Sequence, residues 1–137
     1  MFDNNTATFY TDGAYSSTKC KGGWAVYCPE YKLKICNGEF QTTNNRMEVI
    51  AAIKALEFVD ESNLPEKNIV IYSDSKYLVE TMNGNFRKKT NLDLWDKLSD
   101  LCDSLFNKNI KWIHVKGHSG YTENEIVDKL ANLMSQN

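Results

Sequence analysis

Four acidic residues stand where acids are uncommon. Asp12 follows the strand-type run Thr6 to Thr11 and precedes Gly13, and Asp74 follows the apolar run 68–73 and precedes Ser75. Glu48 lies among Met47, Val49 and Ile50, and Asp128 sits between Val127 and Leu130-Ala131, close to the apolar face of an amphipathic pattern. Taken singly, each has an ordinary explanation: a turn residue or helix cap for the two aspartates at strand ends, a favourable charge near a helix N-terminus for Glu48. An unpaired carboxylate at Asp128 would be costly to bury. One cause covers all four, namely hard oxygen ligands converging on divalent cations whose charge offsets the crowding of like charges. A set without His or Cys favours Mg²⁺ or Mn²⁺ over zinc. Two such ions about 3.5–4 Å apart can hold the attacking water and the leaving oxygen of an in-line phosphoryl displacement, which is nuclease chemistry.

These residues need elements to bring them together. The run 6–12 reads as a strand stopping at the Asp12-Gly13 turn, and 23–28 and 32–36 as two further strands of an antiparallel meander. From about Thr43 to Val59 the residues are helix formers, apolar nearly all round, which predicts a well-buried helix. The run 68–73 is short, apolar and β-branched, an interior parallel strand, and Ser75 can cap a helix from Lys76 to Met82 that ends at Asn83-Gly84. Leu94, Leu98, Leu101, Cys102 and Leu105 recur at helical spacing, with Asp96, Lys97, Asp100 and Asp103 facing out. A fifth strand, 110–115, leads through Lys116-Gly117-His118-Ser119-Gly120 to a capping box, Thr122 to Glu125, that opens the last helix. The order β-β-β-α-β-α-α-β-α predicts an α/β fold, a five-stranded mixed sheet flanked by helices. If strand four pairs beside strand one, Asp12 and Asp74 share the carboxyl edge of the sheet, where such sheets place ligands.

The segments Tyr10-Thr11-Asp12-Gly13, Thr42 to Glu48, Tyr72-Ser73-Asp74-Ser75, Trp112 to Gly120 and Asn124 to Asn132 resemble type 1 ribonuclease H in order and spacing, from about residue 6 to 133. The resemblance implies a ribonuclease H-like fold and an endonuclease that hydrolyses the RNA strand of RNA/DNA hybrids, leaving 5′-phosphate and 3′-hydroxyl ends. It implies that Asp12, Glu48, Asp74 and Asp128 hold two Mg²⁺ ions, with Mn²⁺ as a substitute, and that His118 assists proton transfer or product departure. His can titrate near neutral pH, which suits that part. His114 is read as structural.

Substrate contacts are assigned to Gly13, Thr43, Asn44, Asn45, Lys76 and Asn91. Asn44 and Asn45 open the first long helix, where amides and unpaired N–H groups can meet sugar and phosphate, although N-terminal capping is their alternative use. The resemblance places them in the minor groove of the hybrid, where a 2′-OH distinguishes RNA. Thr43 and Asn91 match the family's phosphate pocket, while Gln41 stands where an arginine is frequent and Lys76 where bacterial relatives carry glutamine. Between Met82 and Asn91 the basic helix with tryptophans found in bacterial and animal relatives is missing. Hybrid binding is therefore expected to be weak and steeply salt-dependent, resting on Lys76, Arg87, Lys88, Lys89 and Lys116.

A chain of 137 residues is of single-domain size, and 42% apolar with 25% charged residues is ordinary globular composition. Four cysteines without a C-x-x-C pair and only two histidines encode neither a zinc site nor a redox pair, so buried free thiols are expected. No apolar run reaches the roughly 18 residues that span a bilayer, and no targeting signal is evident, so a cytoplasmic, membrane-free protein is expected. The formal charge of −2 means that nucleic-acid binding must rest on a site and not on bulk charge. A monomer is expected, with a tethering protein partner as an addition. Two competing classes are another nuclease of the same fold, such as a DNA resolvase or exonuclease, and a non-enzymatic hybrid-binding module. The Asn44-Asn45 and Gly117-His118 surroundings argue against the first, the presence of all four acids against the second.

Overall fold

A computed structural model describes residues 5–116 and 122–137. Strands β1 (Thr6–Ser16), β2 (Lys21–Cys28) and β3 (Leu33–Phe40) form an antiparallel meander, and β4 (Asn68–Ser73) and β5 (Asn109–His114) extend it as parallel strands. The sheet order is β3-β2-β1-β4-β5. Helices α1 (Asn44–Glu61), α2 (Lys76–Met82), α3 (Leu92–Ser104) and α4 (Thr122–Gln136) complete the expected order, and the mixed five-stranded sheet of a ribonuclease H-like α/β fold is present.

Strand alternation sends side chains to two cores. Ala7, Phe9, Trp24, Val26, Ile69 and Ile71 pack with α1, α2 and α3, while Ala14, Ala25 and Tyr10 pack with Val127, Leu130 and Ala131 of α4. Ten residues of the eighteen in α1 are buried, which explains its nearly all-round apolar sequence: it lies between the sheet and α3. Thr43 caps it, its Oγ1 accepting from the N–H of Arg46 at 3.1 Å. Ser75 caps α2 in the same way, accepting from Leu78 N–H at 3.1 Å.

Some boundaries differ from the sequence reading. β1 does not stop at Asp12 but runs to Ser16, because its pairing with β2 continues to Ser16↔Lys21 after its pairing with β4 ends at Thr11↔Ser73. β2 and β3 likewise reach Lys21 and Phe40. Gly22, Gly23 and Gly38 look like strand breakers, yet they mark close approaches instead: a Cβ on Gly23 would lie 2.2 Å from Ala131 O in α4. Thr122 is already helical, so it is not the residue preceding α4. Of the free cysteines only Cys28 is buried, Cys36 and Cys102 are partly so, and Cys20 is exposed in a turn at φ 52°.

Candidate active site

The end of the β1–β4 pairing is where the acids meet. β4 stops at Ser73, so Asp74 emerges beside Asp12, and α1 crosses the same edge with Glu48 in its first turns. One carboxylate oxygen from each of Asp12, Glu48 and Asp74 lies within 4.8 Å of the others. Asp128, on α4, stands outside that group of three, but near enough to Asp12 to contribute to raising its carboxyl. Asn132, one turn further along α4, donates from Nδ2 to Asp128 Oδ1 at 3.2 Å and to Asp128 O at 2.9 Å. Asn132 is a positioning residue missed in the sequence, where an Asp–Asn pair at i, i+4 on a helix is the signal for this contact.

Gly13 joins the two halves of the cluster. Its N–H donates to Glu48 Oε1 at 2.6 Å and to Asp12 Oδ1 at 2.9 Å. A Cβ at Gly13 would sit 2.4 Å from Glu48 N and 2.5 Å from Met47 C, so only glycine lets α1 come this near. Its N–H is thus committed to the acids, which makes Gly13 a positioning residue for Glu48.

Asp12 is 3% and Glu48 5% exposed, and the ion pairs among the described residues include none of the four acids. Burial, then repulsion from Glu48 and Asp74, pushes the Asp12 carboxyl up to about 11. Burial and the charge of Asp74 raise Glu48 to about 8, against the opposing pull of the Gly13 N–H. Buried carboxyls crowded without a cationic side chain are an all-oxygen donor set for a hard divalent cation, so the residues fit one.

The residues assigned to substrate from the sequence fall into two groups. Asn44 and Asn45 are exposed at the start of α1 and, since Thr43 does the capping, their amides are not needed by the helix. Lys76 is exposed at the first position of α2, two residues past Asp74. Asn91 is different: its Oδ1 accepts from Arg46 Nη1 at 3.3 Å and its Nδ2 donates to Tyr77 Oη at 3.1 Å. Arg46 also makes a two-pronged pair with Asp93, at 3.0 and 2.8 Å. Asn91 is therefore a link between α1, α2 and α3. His114 approaches the carbonyl of Asp74 through Nε2 at 3.2 Å, a support for that backbone. His118, with Gly117 and Gly120, lies outside the described residues.

Comparison with known proteins agrees with this arrangement. The family model described as RNase H matches residues 4–136. A ribonuclease H of Legionella pneumophila (strain Corby) is 42% identical over 140 residues, covering 90% of this chain and 92% of its own. Ribonuclease H proteins of Novosphingobium aromaticivorans and Desulforamulus reducens are each 36% identical, over 90% of this chain and 92% and 84% of theirs.

Proposed function

The chain belongs to the ribonuclease H family, a nucleic-acid-binding hydrolase by that membership, and from this premise we propose that it is an endonuclease cutting the RNA strand of RNA/DNA hybrids to 5′-phosphate and 3′-hydroxyl ends. The observation that carries the proposal is the meeting of Asp12, Glu48 and Asp74 within 4.8 Å at one sheet edge. With Asp128 they would hold two Mg²⁺ ions, or Mn²⁺ in their place. When bound, these ions would activate water for attack on the scissile phosphate and stabilise the leaving oxygen.

The chain's own residues supply position and selectivity. Glu48 and Asp12 are held in place by the N–H of Gly13, and Asp128 by Asn132, so the ligands are oriented before a cation arrives. Asn44 and Asn45 present amides that donate to and accept from a ribose 2′-OH, which DNA lacks. Lys76 places a cation beside the acids for a phosphate, and Thr43 and Asn91 border the DNA strand's phosphate. His118 assists proton transfer, for which its near-neutral titration suits it, or the departure of the product. One copy of the 137-residue domain carries all four acids, so a monomer suffices, and a tethering partner would add affinity and not chemistry.

The test uses an end-labelled RNA strand paired with DNA, paired with RNA, or single, each with Mg²⁺, Mn²⁺ or EDTA. Internal cuts confined to the hybrid and abolished by EDTA are expected. Cutting of a DNA substrate instead would move the chain to another branch of the fold, and binding without cutting in either metal would leave it a hybrid-binding module.

A further inference from the structure

The helices are shared unequally between the two faces of the sheet. Among the described residues α1, α2 and α3 pack with one face and α4 alone with the other, where it lies on β1, β2 and β3 and has at most marginal contact with β4 and β5. The part of that face beyond α4 is crossed by a row of side chains set by strand register, Tyr27 opposite Tyr10, Tyr10 beside Tyr72, and Tyr72 beside Ile113. The Tyr10 and Tyr72 rings stack at 5.0 Å between centres and 11° between planes, and Tyr27 follows at 6.4 Å and 32°. All three tyrosines keep part of their surface open, and Ile113 is 37% exposed. Lys34, the register partner of Tyr27, holds its Nζ 5.6 Å from the centre of that ring, and the exposed Lys111 stands one step below Ile113 at the opposite margin.

Cross-strand pairing accounts for the tyrosines as a support of the sheet, but not for their open surface or for the cations at its margins. Neither Lys34 nor Lys111 has an ion-pair partner among the described residues. Positions 6, 8 and 10 of β1, 68, 70 and 72 of β4, and 109, 111 and 113 of β5 share this face below the four acids, and none of them is acidic. Aromatic rings between lysines, with no carboxylate to repel phosphate, suit unpaired bases and their backbone. A duplex keeps its base faces inside, so the matching ligand is a single strand. Position then selects which strand. Tyr10 is two residues before Asp12 and Tyr72 two before Asp74, so the row begins about 7 Å along the strands from the acids, next to the strand that the acids hold.

We infer that this open face is a platform for an unpaired stretch of the RNA strand running on from the hybrid, its bases against the tyrosine row and its phosphates at Lys111 and Lys34. The inference rests on the hybrid reading above and adds a preference to it. Hybrids whose RNA continues as a single strand past one end are taken ahead of blunt ones, and cleavage is drawn toward that end.

The experiment is steady-state cleavage by the whole protein of a blunt hybrid, of the same hybrid with a run of unpaired adenosines at the 5′ or the 3′ end of its RNA, and of the hybrid with unpaired deoxyadenosines on its DNA strand. In the wild type an RNA extension at one end should lower KM about tenfold relative to the blunt hybrid, and DNA extensions should leave it at the blunt value. The readout within each variant is the ratio of extended to blunt KM, so a general loss of activity cancels, and melting curves check the fold. Tyr27→Ala and Tyr72→Leu should each bring the ratio most of the way to one, while Tyr27→Phe and Tyr72→Phe, which keep a ring, should preserve it. Lys34→Gln/Lys111→Gln should shrink the difference in salt slope between extended and blunt hybrids by roughly 1.4, as for two single-strand phosphates. A wild-type ratio of one would overturn the platform, as would a gain that survives Tyr27→Ala and Tyr72→Leu together or an equal gain from extended DNA. A dimer that the tyrosine variants dissolve would give the face to a second copy and overturn it too. Failure of the wild type to cut even the blunt hybrid would overturn the functional reading itself, and the platform with it.

Discussion

Asp12 is the residue whose surroundings say most about the chemistry. In an unfolded chain its carboxyl would ionise near 4. In the folded, metal-free protein burial and its acidic neighbours hold it up near 11, and Glu48 near 8. The folded state thus keeps protons that the unfolded chain releases, and the stability these groups allow is present below about pH 4 and lost as pH rises toward 8 and then 11. A divalent cation displaces those protons, so its affinity should rise with pH. The melting temperature in EDTA is expected to fall between pH 6 and 9, and the gap opened by Mg²⁺ to widen over the same range. Asp12→Asn should abolish cleavage and the response to Mg²⁺, yet stabilise the metal-free protein at pH 8 by roughly 5 kcal/mol at most. An Asn variant that melts below wild type in EDTA at that pH would contradict the account.

Glycines act at the next scale, because they set how near whole elements come. Gly13 admits α1 and Gly23 admits α4, and these helices bring Glu48 and Asp128. Alanine at either position forces backbone apart and should cost about 1–3 kcal/mol. The two variants should differ in function: Gly13→Ala displaces Glu48 directly and should weaken Mg²⁺ binding, read by calorimetry, more than Gly23→Ala, whose effect reaches Asp128 through the body of α4. Equal Mg²⁺ affinity in both variants and the wild type would show that neither helix is placed by its glycine. The same glycines explain what was legible in the sequence. The order of elements, the span of α2 and the edge shared by Asp12 and Asp74 follow from periodicity and caps. The extent of β2 and β3 did not, because a glycine in a strand looks like a break until the helix that needs the space is seen. The apolar stretches of α1 and α4 announced Glu48 and Asp128 as misplaced acids, whereas the hub of Arg46, Asn91, Tyr77 and Trp95 joins three elements distant in sequence, and local spacing gives no sign of it.

Over the whole molecule the formal charge is −2, and two bound divalent ions would carry it to about +2. Phosphate attraction is then gathered at the acid cluster and at the few cations of the α2–α3 side. The slope of log affinity against log salt scales with the number of phosphates neutralised, about 0.9 for each. Weak binding through few contacts therefore goes with a shallow slope, and the steep dependence anticipated from the sequence does not follow from its own premise. A hybrid titration from low to moderate salt should give a slope of roughly −2 to −4. A value near −8 would mean that a much larger cationic surface takes part.

The parallel pairing of β1 with β4 has one more consequence, for how the protein comes into being. Thr11 meets Ser73 only after β2, β3 and α1 have been spanned, so Asp12 and Asp74 are neighbours only once a non-local closure is made. Helices can form early and alone, but closures of this kind are slow. On refolding, cation binding should therefore return with the sheet and not with the helical signal, and a chain stalled before that closure would hold its four acids apart.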